Sequence, residues 1–366
     1  LKVGGKENPI RIHHLLTMSS GLPNLGVAEL IIYKMTGMEE NFYPMSSLED
    51  LFSHINGAGE EIVCEPGKEM YYLNSGYTLL GEIVARVSGK AYEDYVRERI
   101  LAPLDMHRST FSRQAFTGEP DRMTPYRLKE EEGRIKAHLS HHPFHTFVHA
   151  PGGLLSSVRE LTNYLFFNIN GGVWQGERLL GEEYTEEFHK LHCELDHGLS
   201  YLKDYGRMGY GYGWMVVEDF LGHKMISHGG STGVSSAFMA FIPDLKVGFA
   251  VAANGGNLPG TPMLAIMAYL MGRDPEGEIP ELQYEKRLNL LTGSYATYKG
   301  INRITVTRKG AVLFIESKVE PESSYPLIPE EDDLAGYRFY ALTGPGKKIP
   351  VRFEVEASGR IDLYIE

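Results

Sequence analysis

Two short stretches of this chain bring together residue types that can do chemistry. In Tyr72-Leu73-Asn74-Ser75-Gly76-Tyr77 a phenol and a carboxamide stand two positions apart, so on an extended turn both side chains leave the same side of the backbone. A tyrosine titrates near pH 10, so at neutral pH it moves protons only beside cationic groups or by sharing its proton with a lysine. Asn74 can bind a substrate carbonyl or cap the helix that begins near Ser75, and the two roles are compatible. In His228-Gly229-Gly230-Ser231-Thr232-Gly233 an imidazole precedes two glycines and an apolar strand, where small residues let a substrate backbone approach a sheet edge.

Other candidates carry less. Ser200-Tyr201-Leu202-Lys203 has the spacing of a nucleophile and its lysine, but no apolar helix follows to bury the lysine, and such spacing arises by chance in long chains. His138, His141, His142, His145 and His149 invite a metal reading. Pro143 spoils a regular helix there and no carboxylate completes a zinc pattern, so a structural or substrate-rim role is expected, with no metal. Gly209-x-Gly211-x-Gly213, which overlaps Tyr210-Gly211-Tyr212-Gly213-Trp214, precedes a strand rather than a helix, so no nucleotide cofactor is implied.

The elements that must position these residues can be read from pattern. Glu65-Pro66-Gly67 is a turn before Tyr72, and Leu79, Leu80, Ile83 and Val84 recur at helical spacing up to a stop at Gly89. A second helical run covers 92–100. Ser157 and Glu160 stand at capping-box spacing before a helix that Gly171-Gly172 closes. Strand-like runs follow at 215–217, 224–227, 236–241 and 247–252, then a helix from Thr261-Pro262 to Gly272. Residues 273–285 read as a linker. Beyond it, alternating runs at 303–307, 311–316, 336–341, 349–356 and 360–366, with hairpin turns at Lys309-Gly310 and Ser358-Gly359, indicate a small antiparallel β-domain.

Composition narrows the function classes. Thirty-six Lys and Arg against 48 Asp and Glu leave a formal charge of −12 over 366 residues, which repels phosphate backbones and anionic lipid. Neither nucleic acid nor a membrane is expected as a partner. Cys64 and Cys193 are too few for a disulfide framework or a cysteine-built zinc site, and a cytoplasmic setting is expected.

The order of three segments, Arg11-Ile12-His13-His14-Leu15-Leu16-Thr17-Met18-Ser19-Ser20-Gly21-Leu22-Pro23, then 72–77, then 228–233, resembles the serine β-lactamase-like fold. The resemblance is to its class C β-lactamase, DD-peptidase and CubicO-type esterase/peptidase group, and it extends to Gly152-Gly153-Leu154-Leu155-Ser156-Ser157. It implies an α+β domain over 1–272, an antiparallel sheet flanked by helices, followed by a lipocalin-like barrel over 286–366. Tyr72 would be the proton-relaying phenol, and Asn74 would hold the catalytic lysine and a substrate carbonyl. His228, in place of the lysine of the Lys-Thr-Gly strand motif, would polarise the substrate. Gly229 and Gly230 would line the substrate strand, and the Ser231 N–H would be the second oxyanion donor.

The family's Ser-x-x-Lys motif lies several tens of residues before the first segment, whereas ten residues precede Arg11. The resemblance therefore places the nucleophile on a separate N-terminal fragment that stays bound, with this chain alone inactive. The reaction implied is acyl transfer through an acyl-enzyme, by a peptidase acting on D-residue peptides or by an esterase, in a homo-oligomer without cofactor. The rival is a noncatalytic binding or assembly protein on a hydrolase fold.

Overall fold

The computed structural model describes residues 9–37, 45, 47–195, 205–256, 258–317 and 324–365. The chain divides into two compact units, 1–263 and 264–366, with the division inside the helix Gly260–Leu270.

The first unit mixes helices with a six-stranded antiparallel sheet, as expected. From one edge to the other its strands are Val247–Ala253, Ser236–Ile242, His223–Ser231, Met215–Phe220, Met208–Tyr210 and Cys193–Glu194. The central strand runs past its neighbour. The ladder to Met215–Phe220 ends at the pair Met215↔Ser227, while the ladder to Ser236–Ile242 continues through His228↔Met239 to Ser231↔Ser236. Residues 228–231 are therefore bordered by a strand on one side and lie beyond the end of the other ladder.

Two helices stand where the spacing predicts them. Asn74–Ser88 is closed by Gly89 in the left-handed conformation, and Gly81 lets it approach the segment 149–152 so closely that an added Cβ would lie 2.6 Å from the Ala150 Cβ. Val158–Ile169 begins with the Ser157 hydroxyl accepting from the Glu160 N–H at 3.2 Å. The reciprocal half of the capping box is not made. The buried Glu160 carboxylate instead accepts from the Arg108 N–H at 2.8 Å and the Ser109 hydroxyl at 2.7 Å, and so ties the 152–157 segment to the loop before Thr110. The sequence pattern gave no sign of the hairpin Tyr126–Glu131 with Arg134–Leu139.

In the second unit, the stretch expected as a linker carries the helix Pro275–Glu278 and the start of Pro280–Leu291, each opened by a proline in its first turn. Seven strands follow as an antiparallel meander, a nearly closed barrel: Gly293–Ala296, Arg303–Lys309, Val312–Ser317, Ser324–Pro329, Arg338–Gly344, Lys347–Val355 and Ile361–Ile365. Its inward positions alternate, and Val306, Leu313, Leu327, Phe339, Val351 and Phe353 fill the interior together with Leu288 and Leu291. Among the described residues of both units, no helix is long and apolar enough to cross a membrane.

One buried group of the first unit sets a pH dependence. His189 packs edge-on against Phe241 and Trp214, bonds Asn168 Oδ1 at 3.1 Å, and is pushed down to about 4 by burial and, to a lesser degree, by Lys224. The unfolded chain takes up this proton near pH 6.5 and the folded chain does not. The stability His189 contributes is therefore complete above about pH 6.5 and falls toward pH 4, by up to about 1.4 kcal/mol per pH unit. In urea unfolding across that window, His189→Gln, which keeps a donor for Asn168, is expected to flatten the decline.

Candidate active site

The residues that deliver Tyr72 lie fifty positions upstream of it. After the helix Ile12–Leu16 the chain turns at 17–21, and this turn holds the loop 63–73 by backbone bonds. Val63 N–H donates to the Gly21 carbonyl at 3.0 Å, Gly67 N–H to Ser19 at 2.7 Å and Tyr71 N–H to Met18 at 2.8 Å. Gly21 has φ +78°, and a Cβ there would sit 2.1 Å from the Cys64 carbonyl oxygen, so no other residue fits. Met18 has φ +56°, a conformation that costs a non-glycine residue on the order of 1 kcal/mol. The grip of Tyr71 and of Leu73, whose N–H lies 3.2 Å from the Met18 sulfur, holds it there.

Tyr72 emerges from this loop 40% exposed, and burial of its phenol, with the Glu29 carboxylate nearby, raises its pKa above the ordinary value. At neutral pH it is a proton donor, not a standing base. Asn74 opens the following helix, and its Nδ2 donates to Glu29 Oε1 at 2.7 Å. A carboxylate only accepts, so the amide nitrogen must face Glu29 and Oδ1 must face away from it, presenting an acceptor. Sequence reasoning missed Glu29, which stands in the first turn of the helix Val27–Thr36; nothing local tied it to a residue 45 positions on. Its Oε2 is buried without a hydrogen-bond partner among the described residues.

His228 lies on the central strand, and both its ring nitrogens are engaged within the protein. Nδ1 is 2.7 Å from the Gly229 carbonyl oxygen, and Nε2 is 2.9 Å from the hydroxyl of Tyr210, a second residue the sequence reading gave no role. Burial lowers the imidazole pKa, so the ring is neutral at neutral pH. What the segment turns to the cavity with least obstruction is its backbone, since Gly229, Gly230 and Ser231 are exposed.

The six candidate residues line one cavity of about 960 Å³. Tyr72 and Asn74 come to it from the helix entry, and His228, Gly229, Gly230 and Ser231 from the sheet; the 152–157 segment and residues 235–239 complete the wall. Ser236 Oγ, in a residue 6% exposed, and His142 Nδ1 are buried there without a hydrogen-bond partner among the described residues. Among the described residues no lysine lines the cavity. Ser200-Tyr201-Leu202-Lys203 lies outside the described residues.

The five histidines at 138–149 scatter. His138 pairs with Glu131, His142 lines the cavity with burial pushing it down to about 4, His145 accepts from the Phe147 N–H, and His149 lies 3.6 Å from Glu93. Among the described residues no group of three His, Cys, Asp or Glu side chains could hold a metal ion.

Comparison with known proteins places this geometry. The β-lactamase family model matches residues 2–268, and the Pab87 octamerisation domain model matches residues 275–366. The octameric penicillin-binding protein homologue from Pyrococcus abyssi is 33% identical with a TM-score of 0.82, the match covering 100% of this chain and 79% of that one. A D-stereospecific amidohydrolase from Streptomyces sp. shares the fold at 22% identity and a TM-score of 0.57, over 74% of each chain. Protein flp of Staphylococcus aureus (strain MW2) is 23% identical over 254 residues, 69% of this chain and 45% of that protein. The chain thus spans about half the length of the curated relatives it matches.

The Glu29 contact makes a measurable claim on Tyr72. With 3-fluorotyrosine placed at position 72 and followed by fluorine NMR, Glu29→Gln is expected to lower the phenol's titration midpoint, while burial keeps it above that of free 3-fluorotyrosine. An unchanged midpoint would mean the carboxylate does not reach the phenol.

Proposed function

The chain belongs to the β-lactamase family, and on that premise we propose that it carries the proton-relay and substrate-strand part of a serine acyl-transfer hydrolase. The observation that carries this reading is that Tyr72, Asn74 and the strand segment 228–231 open on one cavity. The nucleophile in this reading is a Ser-Lys pair outside these 366 residues, entering the cavity beside Tyr72.

The steps follow from the groups present. The serine oxygen adds to the substrate's acyl carbon while its proton passes to the lysine. Tyr72, protonated at neutral pH, gives its proton to the departing amine or alcohol and is reprotonated from the lysine, so that the C–N or C–O bond breaks and an acyl-serine remains. Water then attacks the acyl carbon, its proton returning through the same groups to the serine. Asn74 Oδ1, turned away from Glu29, is placed to accept from the lysine ammonium. An extended peptide laid along 229–231 would find backbone groups of a strand that has run past its ladder, the second oxyanion donor being the Ser231 N–H.

Peptides containing D-residues, or small amides and esters, are the substrates this reading favours. His228 in place of a strand lysine removes the fixed cation that would meet a penicillin carboxylate. One observation favours the noncatalytic alternative, namely that no lysine among the described residues lines the cavity. In the protein supplied with its Ser-Lys segment, Tyr72→Phe is expected to lower kcat by about 10²- to 10⁴-fold. An unchanged kcat removes Tyr72 from the mechanism, and absence of any acyl-enzyme in intact mass spectra selects the binding role.

The same reading includes assembly into a homo-oligomer through residues 275–366, the segment matched by the octamerisation domain. Within it Tyr298 and Ile301 are 81% and 78% exposed, large apolar side chains of the kind an interface covers. Sedimentation velocity is expected to give a species larger than a 41.0 kDa monomer, and Tyr298→Lys with Ile301→Asp to reduce its size. A wild-type monomer contradicts the assembly, and an oligomer indifferent to both changes moves the interface elsewhere.

A further inference from the structure

Tyr210 is 1% exposed in the core beside the cavity, yet it is a phenol among Leu15, Met18, Leu73 and Leu79. A buried hydroxyl needs a partner, and two lie within reach of Tyr210, His228 Nε2 at 2.9 Å and the Tyr77 hydroxyl. The proton positions follow from chemistry. The Gly229 carbonyl can only accept, so at 2.7 Å it requires the ring proton on Nδ1. A neutral ring protonated there offers Nε2 as an acceptor alone, and at 2.9 Å the hydrogen between Nε2 and the phenol must come from Tyr210.

The alternative fails on proton count. Tyr77, beside Tyr210, gives its own proton to the Leu16 carbonyl at 2.8 Å. Were Tyr210 to donate to the Tyr77 oxygen instead, Nε2 and the Tyr210 oxygen would face each other without a hydrogen unless His228 were an imidazolium. The groups around the pair do not favour that charge, because the ring is buried and its titratable neighbours are the phenols of Tyr210, Tyr77 and Tyr72, the last with its ring 6.3 Å from that of Tyr210.

We propose that Tyr210 is a positioning residue of the candidate acyl-transfer site. By donating to His228 Nε2 it holds the imidazole in its Nδ1–H form, turned along its own strand onto the Gly229 carbonyl. His228 then offers the substrate no hydrogen bond from either nitrogen. Its Nδ1–H takes one of the two lone pairs of the Gly229 carbonyl and leaves the other to a bound peptide. The Tyr210 ring also meets the rings of Tyr72 and His228 edge-on, with centroids 6.3 Å and 6.0 Å away, so one phenol packs against both candidate side chains.

The kinetic part of this inference rests on the acyl-transfer reading; the tautomer does not, and it is measured first. In protein with ¹⁵N-labelled histidine, with His228→Gln used to assign the signal, wild-type His228 is expected as the neutral Nδ1–H tautomer at about pH 7. Tyr210→Phe keeps the ring packing and removes the donor, so the His228 Nε2 signal should change and the titration midpoint shift upward, since a free Nε2 can take a proton. An Nε2–H wild-type signal overturns the inference, as does a Tyr210→Phe spectrum and midpoint identical to wild type. If the variant does not fold, the wild-type tautomer alone decides between the two assignments. In the protein supplied with its Ser-Lys segment, Tyr210→Phe should lower kcat/KM on a peptide by about 10- to 100-fold. Unchanged turnover with an altered His228 signal overturns the positioning role while leaving the acyl-transfer reading to the Tyr72→Phe test.

Discussion

The helix-entry half of the candidate site, Tyr72 and Asn74, depends on one close approach, that of Gly21 to the Cys64 carbonyl. A side chain at Gly21 would drive the turn 17–21 off the loop 63–73 and break the Val63, Gly67 and Tyr71 bonds together, because all three are made by consecutive parts of that turn. Tyr72 has no other backbone anchor of that kind. Its position is set by Tyr71 on one side, bonded to Met18, and by Leu73 on the other, in contact with the Met18 sulfur and fully packed in the core. The positive φ of Met18 fits this picture. A strained residue persists where its neighbours leave it no alternative, and here they are the residues that flank the phenol.

A second tie joins the sheet to the helices through polar groups in an apolar core. Leu16 ends the helix before the turn, Tyr77 lies one turn into the helix that Asn74 opens, Tyr210 belongs to a short strand, and His228 to the central one. The contacts Leu16–Tyr77 and Tyr210–His228 therefore link pieces of chain that are 61 and 18 residues apart, with the two phenols side by side between them. Each member is satisfied, which is the condition for a buried polar network to add specificity instead of cost. The Glu160 carboxylate does comparable work at the 152–157 segment, which it holds through Arg108 and Ser109.

The legibility of the sequence divides by distance along the chain. Tyr72, Asn74 and 228–231 were readable because each is a local word, a turn entering a helix or glycines entering a strand. Glu29 and Tyr210 were not, since their importance lies in partners far off in sequence, and a first-turn glutamate or a tyrosine in a glycine-rich run has many ordinary explanations. The strand Ser324–Pro329 escaped notice because of Pro326, which argues against a central strand. Pro326 lies just outside the ladder with Arg338–Gly344, which begins at the pair Leu327↔Ala341, so on that side its missing N–H costs no bond; Pro350 stands in the same relation to the last strand, whose ladder begins at Val351. The first part of the helix Pro280–Leu291 was taken for linker because polar residues dominate its composition, whereas Leu288 and Leu291, in its last turn, are fully packed against the barrel interior.

The electrostatics of the site then decide what it lacks. Burial and Glu29 favour the protonated phenol at Tyr72, burial favours the neutral imidazole at His228, and the phenols of Tyr77 and Tyr210 are pushed up by burial as well. Every titratable group at this wall except Glu29 is thereby uncharged at neutral pH, and Glu29 opposes the formation of any anion. An ammonium beside Tyr72 would act against that balance, since an opposite charge within about 4–6 Å favours phenolate. The same ammonium would be stabilised by Asn74 Oδ1 and by the Glu29 carboxylate behind the amide. In the acyl-transfer reading, a positive charge beside Tyr72 would favour loss of the phenol proton, which makes the arrival of a lysine the step on which acyl transfer at this site would turn.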